Sequence, residues 1–240
     1  MLNNLAILAH EHGQWNESLD LFAEASAMWE SAGDAWSASF ATYNRGEILA
    51  DLGRLDEAEP LLRKALHVWR ASGAGPEAAE AMRQLGRVLA RKRQAEESLA
   101  LLETAQRDQT EYGEAAEALL TGARIAESLA IAGRSEESLA LAVGLLAEAK
   151  SVEAPPASVA LLERIRGWSL VLLDRPAEAR GALEGALLSA RQRGAEYEVA
   201  LALGLLATLG AEGDGRDLAR ERDEIMDRLG VQPSSDLPML

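Results

Sequence analysis

The side chains most able to do chemistry stand at spacings that do not suit it. His10 and His12 flank Glu11, but residues two apart on a helix point to different sides, so the two imidazoles do not chelate one metal ion as residues four apart would. The acidic pairs at 96–97 and 136–137 diverge in the same way and suit the first turn of a helix better than acid–base catalysis. We therefore expect surface histidines, no metal or cofactor, and no enzymatic activity.

Composition excludes several classes of function. The 240 residues include no cysteine, which excludes disulfides, cysteine-bound zinc and thiol catalysis, and fits a reducing cytoplasm. The sequence contains neither a Gly-x-x-x-x-Gly-Lys nor a Gly-x-Gly-x-x-Gly phosphate motif. A formal net charge of −15 disfavours nucleic acid, and no apolar stretch approaches the ~20 residues that cross a bilayer. We expect a cytoplasmic protein that binds neither nucleic acid nor membrane.

One stretch of this acidic chain is basic. Arg83, Arg87 and Arg91 are spaced by four, which places them on one face of a helix. The stripe has two interpretations that the sequence leaves open: it contacts the acidic groups of a partner, or it pairs with acidic residues on adjoining helices. The candidate internal acids are Glu47, Asp51, Glu80 and Glu127.

The predicted helices that carry these residues recur at a fixed interval along the sequence. Turn positions lie 40, 40, 40 and 41 residues apart, at Gly13, Gly53, Arg93, Gly133 and Asp174. Each turn joins two stretches with the apolar spacing of amphipathic helices, so every step is predicted to be a helix pair. One small residue and one large residue recur at the same step in the second helix of each pair, and we call these two sets of positions the small column and the large column. They lie on an apolar face of the helix that no pair can bury without its neighbours. The small column is Ser18, Ala58, Ser98, Ser138 and Ala179, and the large column is Phe22, Leu62, Leu102, Ala142 and Leu183.

These patterns predict an all-α fold, a right-handed α-solenoid of about six antiparallel helix pairs with a 40-residue period. We expect one domain over residues 1–230 and an irregular tail over residues 231–240. The predicted pairs cover residues 1–33, 34–73, 74–112, 113–152, 153–194 and 195–230. The first helix is several residues shorter than its counterpart in the second pair, which favours a piece cut from a longer repeat array.

The repeated positions resemble a known family. Small residues in the first helix, and a turn glycine followed by a small-large-small stripe, are similar to the tetratricopeptide repeat, whose usual period is about 34 residues. The residues that carry this resemblance are Gly46, Gly86, Gly53, Ala58, Leu62 and Ala65. The longer step resembles the long-helix subclass of kinesin light chains, bacterial Rap-type regulators and MalT-like sensor domains. The C-terminal segment also resembles the ends of actinobacterial signalling proteins, in which such repeats follow a nucleotide cyclase or a regulatory ATPase.

The resemblance implies a concave groove lined by the first helix of each pair, and a scaffold that binds a protein partner there. We expect a peptide or a partner's helix in the groove, with asparagines bonding its backbone, arginines its acidic groups and aromatic side chains its apolar anchors. The predicted partner-binding residues are Asn3, Asn4, Phe40, Tyr43, Asn44, Glu47, Arg83, Arg87, Arg91, Glu127, Arg164 and Trp168.

Two other functions stay open at this point. One is an effector-sensing domain of a larger signalling protein, which should show a closed, partly apolar cavity near Trp168 where a peptide-binding module should show an open channel. The other is a homodimer that forms through the apolar edge of the first pair.

Overall fold

The computed structural model describes residues 2–210 and 214–232, and these residues form twelve helices and no strand. The predicted all-α helical-repeat solenoid is therefore confirmed. Consecutive helices pack against each other as six pairs, with connections of two or three residues in most cases and of seven, residues 149–155, between α8 and α9. The helices are α1 (Leu2–Glu11), α2 (Trp15–Ser31), α3 (Ala35–Asp51), α4 (Leu55–Ser72), α5 (Gly75–Arg91), α6 (Ala95–Glu111), α7 (Ala115–Ile131), α8 (Ser135–Glu148), α9 (Pro156–Leu172), α10 (Pro176–Arg193), α11 (Glu196–Leu209) and α12 (Asp214–Leu229).

The two helices of each pair occupy different layers. Successive first helices from α3 to α11 contact one another as well as their own partners, so they form the inner layer. In pair three, α5 buries every residue from Ala78 to Arg91 except Glu80. Its partner α6 buries only a stripe of four residues, Ser98, Leu102, Ala105 and Gln109. The inner layer therefore buries polar side chains as well as apolar ones, and these polar side chains lie on the concave side.

The turn inside each of the first five pairs uses the left-handed backbone conformation. Three of the five turn positions are glycines, with φ of 75° or 80°, as this conformation favours. Arg93 and Asp174 occupy the other two with φ of 63° and 56°. At Arg93 the side chain compensates in part, because its Nη1 donates a hydrogen bond to the carbonyl oxygen of Ile131 at 2.9 Å. The turn position therefore accepts residues other than glycine.

The small column brings the two helices of a pair into close contact. A Cβ added to Gly86 would lie 2.5 Å from Cγ of Leu102, so the large column fills the space that the missing side chain leaves. Where the small residue is serine, its hydroxyl donates to a carbonyl oxygen of the first helix, from Ser98 to Gly86 and from Ser138 to Ala126, each at 2.7 Å. These buried hydrogen bonds therefore link the second helix of the pair to one position on the first helix.

Pair six lies against the first two pairs. The rings of Trp15 and Tyr197 meet edge to face with their centroids 5.7 Å apart. The backbone N–H of Gln232 donates to the carbonyl oxygen of Leu52 at 3.0 Å, and Leu229 is buried at the same contact. The solenoid therefore closes on itself, and we call this contact, made by Trp15, Leu52, Tyr197, Leu229 and Gln232, the seam.

The chain beyond α12 is described only in part. Val231 is buried, and residues 231 and 232 have no regular structure. The rest of the predicted tail, residues 233–240, lies outside the described residues, and the domain boundary at residue 230 stays a prediction. Over residues 2–210 and 214–232, no helix combines the length and the apolar character that crossing a membrane requires.

Candidate functional site

The concave side of the solenoid is filled by its own side chains. Of the twelve predicted partner-binding residues, seven are buried, and these are Tyr43, Arg83, Arg87, Arg91, Glu127, Arg164 and Trp168. Four are half-buried, namely Asn3, Phe40, Asn44 and Glu47, and Asn4 alone of the twelve is exposed. The buried members lie on α3, α5, α7 and α9, so the fold does bring the centre of the predicted groove together. Their binding to a partner stays a prediction.

Arg83 marks the rim of this face. Its side chain is 7% exposed, and its guanidinium pairs with Glu117 of α7 and, at 3.5 Å, with Glu80 of its own helix. Both carboxylates are about half-exposed, so the pair stands at the border between interior and solvent. The hydroxyl of Tyr43 donates to Oε1 of Glu80 at 3.1 Å. Burial, followed by the charges of Glu47 and Glu80, raises the pKa of Tyr43 well above its usual value, which keeps this donor protonated.

Arg87 joins α5 to α3 one turn further along. Its Nη2 lies 2.8 Å from Oδ1 of Asp51, and both side chains are largely buried. Beside this pair, Nε2 of Gln84 donates to Oε1 of Glu47 at 2.6 Å. Burial, followed by the negative charge of Asp51, raises the pKa of Glu47 above its usual value. The two carboxylates therefore have different partners, because Asp51 lies next to the guanidinium of Arg87 and Glu47 accepts a hydrogen bond from the amide of Gln84.

Arg164 is the most deeply buried cation of this face, at 1% exposure. It bridges Glu127 of α7 and Glu198 of α11, with N to O distances of 3.1 Å to each. Arg124 approaches Glu127 from the same helix at 2.8 Å. Burial opposes ionisation of Glu127, but the charges of Arg124 and Arg164 outweigh it and lower its pKa to about 2. Glu127 is therefore an anion at any physiological pH.

These contacts agree with internal pairing at two of the three arginines of the basic stripe. Arg83 and Arg87 pair internally with Glu80 and Asp51, as the second interpretation expects. Arg91 is different, because its Nη1 donates to a neutral group, the carbonyl oxygen of Ala50, at 2.5 Å. Its Nε and Nη2 are buried and have no hydrogen-bond acceptor among the described residues.

Aromatic side chains run from the surface to this face. Trp36, about half-exposed, meets Phe40 edge to face with ring centroids 4.7 Å apart. Phe40 in turn meets Trp69 at 5.1 Å, and Trp69 meets Tyr43 at 5.5 Å. The half-buried Phe40 and the exposed Trp36 therefore provide an apolar rim next to the buried polar centre.

The two N-terminal histidines lie in different surroundings. His12 is exposed as expected, and its Nδ1 lies 2.7 Å from the carbonyl oxygen of Leu8. His10 corrects the expectation, because it is half-buried with its ring 5.7 Å from that of Trp15, and burial lowers its pKa. Within residues 2–210 and 214–232, no three histidine, aspartate or glutamate side chains stand close enough to hold a metal ion.

The larger cavities lie away from the predicted effector position. Trp168 is 1% exposed and belongs to the apolar core. One cavity of about 560 Å³ lies at the seam and one of about 550 Å³ between α8 and α9. The centre of the concave face holds a cavity of only about 20 Å³. Trp168 lines none of these three cavities, and the cavity at the centre of the concave face is lined mainly by charged side chains.

Several residues of this face were not among those predicted from the sequence, and three of them are informative. Arg124 stands three residues before Glu127 on α7, and this helical spacing could have pointed to it. Tyr197 and Glu198 lie in the first turn of α11. Glu198 pairs with Arg164 of the preceding inner helix across 34 residues, the same step that separates Arg83 from Glu117, so the repeat could have pointed to it. The contact of Tyr197 with Trp15 arises only because pair six meets pair one at the seam, and no local spacing signals it.

Comparisons with known proteins agree with this architecture. Residues 37–111 and residues 1–32 match family models described as tetratricopeptide repeat. No curated protein matches the sequence. Two similar solved structures, one of them of a single-substitution variant, are crystal structures of nearly identical TPR-like repeats described as kinesin light chain from Podosopora anserina, each at 18% identity. The TM-scores are 0.60 and 0.59, and the matches cover 81% and 80% of this chain and 95% and 94% of those chains.

Interlocking small and large columns, left-handed turns at a fixed step and the family matches define one class of structure: residues 1–32 and 37–111 are tetratricopeptide repeats, and the later described pairs continue the same helical-repeat solenoid. The fold of its 40-residue repeats is similar to that of the kinesin-light-chain-like repeats in those structures, in agreement with the predicted resemblance. Tetratricopeptide repeats generally mediate protein–protein interaction, and repeats of this kind are typically non-catalytic scaffolds.

Proposed function

We propose that this protein is a non-catalytic interaction module whose partner binds the concave face after the solenoid opens at the seam. One observation carries the proposal. Guanidinium groups from three successive inner helices, Arg83 and Arg87 of α5, Arg124 of α7 and Arg164 of α9, lie on the concave side and are held by the chain's own carboxylates. An acidic partner segment can replace those carboxylates without leaving a buried cation unpaired.

The partner that fits this face carries acidic side chains. A guanidinium offers a planar fork of donors that matches a carboxylate, so arginine favours acidic ligands over neutral ones. Half-buried Phe40 and exposed Trp36 at the rim suit an apolar side chain of the same partner segment. Half-buried Asn3 and Asn44 suit its backbone amides.

Opening at the seam would release one carboxylate of the face. Glu198 sits in the first turn of α11 and pairs with Arg164 at 3.1 Å. Glu198 and Arg164 lie on neighbouring pairs, so this contact breaks only if pair six also moves relative to pair five as the seam opens, and Arg164 then keeps Glu127 as a carboxylate neighbour. A carboxylate of the partner would take the position of Glu198, so we infer that partner binding and seam opening favour each other.

An engineered disulfide tests whether opening is required. A Cβ on Gly53 would lie 3.8 Å from Cβ of Gln232, within the range that a disulfide spans. The chain has no other cysteine, and Arg93 shows that the turn accepts a side chain. In pull-downs from lysate, Gly53→Cys/Gln232→Cys should recover at least about tenfold less partner when oxidised than when reduced, which corresponds to about 1.4 kcal/mol. Equal recovery from both forms would contradict the proposal, and either single-cysteine variant is the control for redox effects.

A pair of charge variants tests the face itself. Arg83→Gln removes a cation of the concave rim that has two glutamate partners. Arg63→Gln is the matched control on an outer helix, since Arg63 also has two glutamate partners, Glu59 and Glu97. We expect partner recovery to fall for Arg83→Gln and to stay at the wild-type level for Arg63→Gln. An equal effect of both would assign the interaction to overall charge instead of the concave face.

One observation favours the effector-sensing alternative. The seam cavity of about 560 Å³ is lined from both ends of the solenoid, by Trp15 and His10 on one side and Tyr197 and Arg228 on the other. A small molecule bound there would contact both ends and stabilise the closed form. The discriminating measurement is a thermal-shift screen of metabolites on wild type and His10→Ala: a ligand that stabilises the wild type alone supports a sensor, and no stabilising ligand leaves the interaction module as the proposal.

The remaining expectations stay predictions. These are the cytoplasmic location, the origin in a bacterial signalling protein and the homodimer. For the homodimer, the relevant surface is α1, where Leu5 and Leu8 are 43% and 49% exposed. Light scattering of the purified protein tests it, because a monomer at high concentration contradicts it.

A further inference from the structure

A small cavity lies at the centre of the concave face, enclosed by charged side chains. Its volume is about 20 Å³, and it is lined by Arg87, Arg91, Arg124, Arg164, Glu127 and Glu198. Four guanidinium groups and two carboxylates therefore surround a space about as large as one solvent molecule needs. All four arginines are largely or fully buried, so solvent screening of their charges is weak.

The charges around this cavity are balanced at three of the four arginines. Arg124 and Arg164 lie 2.8 Å and 3.1 Å from Glu127, and Arg164 also contacts Glu198. Arg87 lies 2.8 Å from Asp51, which stands outside the cavity. Arg91 differs from the others, because its hydrogen bond goes to a neutral carbonyl oxygen, that of Ala50.

Arg91 also has donor groups left over. It is 4% exposed, and its Nε and Nη2 have no acceptor among the described residues, nor does Nε of Arg87, which lines the same cavity. A buried donor without an acceptor costs about 1–3 kcal/mol, and a buried cation without a counter-charge costs more. Water in the cavity would satisfy the donors but would leave the charge of Arg91 uncompensated.

Tyr197 does not supply the missing charge. Its side chain lines the cavity, and an ionised phenol there would neutralise Arg91. Burial is the largest influence on this group and raises its pKa above the usual value despite the positive charge of Arg91. The phenol is therefore neutral at physiological pH and supplies no counter-charge to Arg91.

We propose that this cavity binds one small monovalent anion of the size of chloride, held by Nε and Nη2 of Arg91 and Nε of Arg87. A cavity with room for about one water molecule suits a monatomic anion better than phosphate, sulfate or a carboxylate-bearing metabolite. The anion joins α5 to the side chains of α7, α9 and α11 and stabilises the closed solenoid. This inference does not depend on the proposed partner, because the anion would bind the closed form whether or not a partner exists.

Thermal unfolding at constant ionic strength tests the site. Chloride is exchanged stepwise for gluconate, which is too large for the cavity, and the melting temperature is followed for wild type, Arg91→Gln and Arg107→Gln. Arg107 is 64% exposed and serves as the control for the loss of one arginine. We expect chloride to raise the melting temperature of wild type and of Arg107→Gln in a saturable way, on the order of 5 °C, and to leave Arg91→Gln unaffected. The same chloride dependence in Arg91→Gln would overturn the proposal as a general salt effect.

Crystals of the wild-type protein grown in bromide give a second test that requires no variant to fold. Bromide replaces chloride in such sites and scatters anomalously. We expect an anomalous peak in the cavity at hydrogen-bond distance from Nη2 of Arg91. Density for water without anomalous signal would overturn the proposal, whatever the melting temperatures show.

Discussion

Three buried arginines of the concave face, Arg83, Arg87 and Arg164, pair with carboxylates from other helices. Arg164 reaches Glu127 on α7 and Glu198 on α11 at 3.1 Å each. Low exposure strengthens the attraction between such charges and raises the cost of leaving one of them alone. Glu127 and Glu47 lie on this same face, but their surroundings lower the pKa of Glu127 and raise the pKa of Glu47. Replacement by glutamine should therefore have opposite effects on stability at the two positions.

Glu127→Gln should destabilise the protein by about 3 kcal/mol at pH 7, because it removes the shared partner of Arg124 and Arg164. The folded-state pKa of Glu127 is about 2, below the unfolded value of about 4.5, so its contribution is fully present above pH 4.5 and is lost as the pH falls toward 2. Urea unfolding from pH 7 to pH 3 should show the difference from wild type shrinking across that range. A difference that does not change with pH would contradict the assigned ion pair; Glu137→Gln, at an exposed pair, should change stability little.

Glu47→Gln should raise the melting temperature at pH 7. Burial and the charge of Asp51 raise the folded-state pKa of Glu47 above its unfolded value, so ionised Glu47 weakens the folded state as the pH rises through this pKa. Glutamine keeps an oxygen that accepts the hydrogen bond of Gln84 and removes the charge. The gain should vanish near pH 4, where wild-type Glu47 is protonated in both states. A lower melting temperature at pH 7 would show that Glu47 acts as an ion-pair partner.

At this scale the sequence identifies part of the site. Spacing by four placed Arg83, Arg87 and Arg91 on one helix face, and all three do lie on the concave side. The spacing could not tell that Arg91 bonds a backbone carbonyl, because that depends on how close α3 approaches α5. It also could not place Tyr197 beside Trp15, because that contact joins the first and last pairs of the solenoid.

At the scale of helices, the two helices of a pair pack most closely where the small column of the second helix meets the first helix. Gly86 lies on α5 with Leu102 of α6 directly against it, and the hydroxyl of Ser98 bonds the Gly86 carbonyl oxygen. The period of the sequence revealed the column because a small residue recurs at each crossing. It did not reveal the hydrogen bond, since alanine serves equally well as the small residue in pairs two and five.

Gly86→Ala should destabilise the protein by about 2 kcal/mol, because the new Cβ would lie 2.5 Å from Cγ of Leu102 and the two helices must move apart. Gly144→Ala is the control: it also lies within a helix, but nothing stands within 4 Å of its added Cβ. That change should stabilise by about 0.5–1 kcal/mol through helix propensity alone. Chemical denaturation measures both, and a stabilising Gly86→Ala would contradict the close crossing.

For the whole molecule, closure at the seam is the feature that the sequence did not predict. Each pair contacts its neighbours with a small rotation, and the rotations of six pairs add up before Tyr197 meets Trp15. A small difference in rotation per pair would leave the groove open. Local patterns determine the helices and the stacking, but the sum of the rotations depends on side-chain volumes at every crossing.

Closure can be tested without a partner. Gly53→Cys/Gln232→Cys should form a disulfide under native conditions and raise the free energy of unfolding by about 4 kcal/mol, because the loop that it closes is long. Gly133→Cys/Gln232→Cys is the matched control, since Gly133 occupies the equivalent turn with φ of 80° and nothing within 4 Å of its added Cβ. Free-thiol titration before and after air oxidation distinguishes them. Equal oxidation of both variants would contradict the seam.

The seam also limits how a gene for this protein can change. Open solenoids gain and lose repeats by recombination with little penalty, because each repeat touches only its neighbours. Here the loss or duplication of one 40-residue unit would separate Trp15 from Tyr197 and Leu52 from Gln232. Selection should therefore keep the number of repeats between Trp15 and Tyr197 constant, while substitutions on the exposed faces of the outer helices should be tolerated.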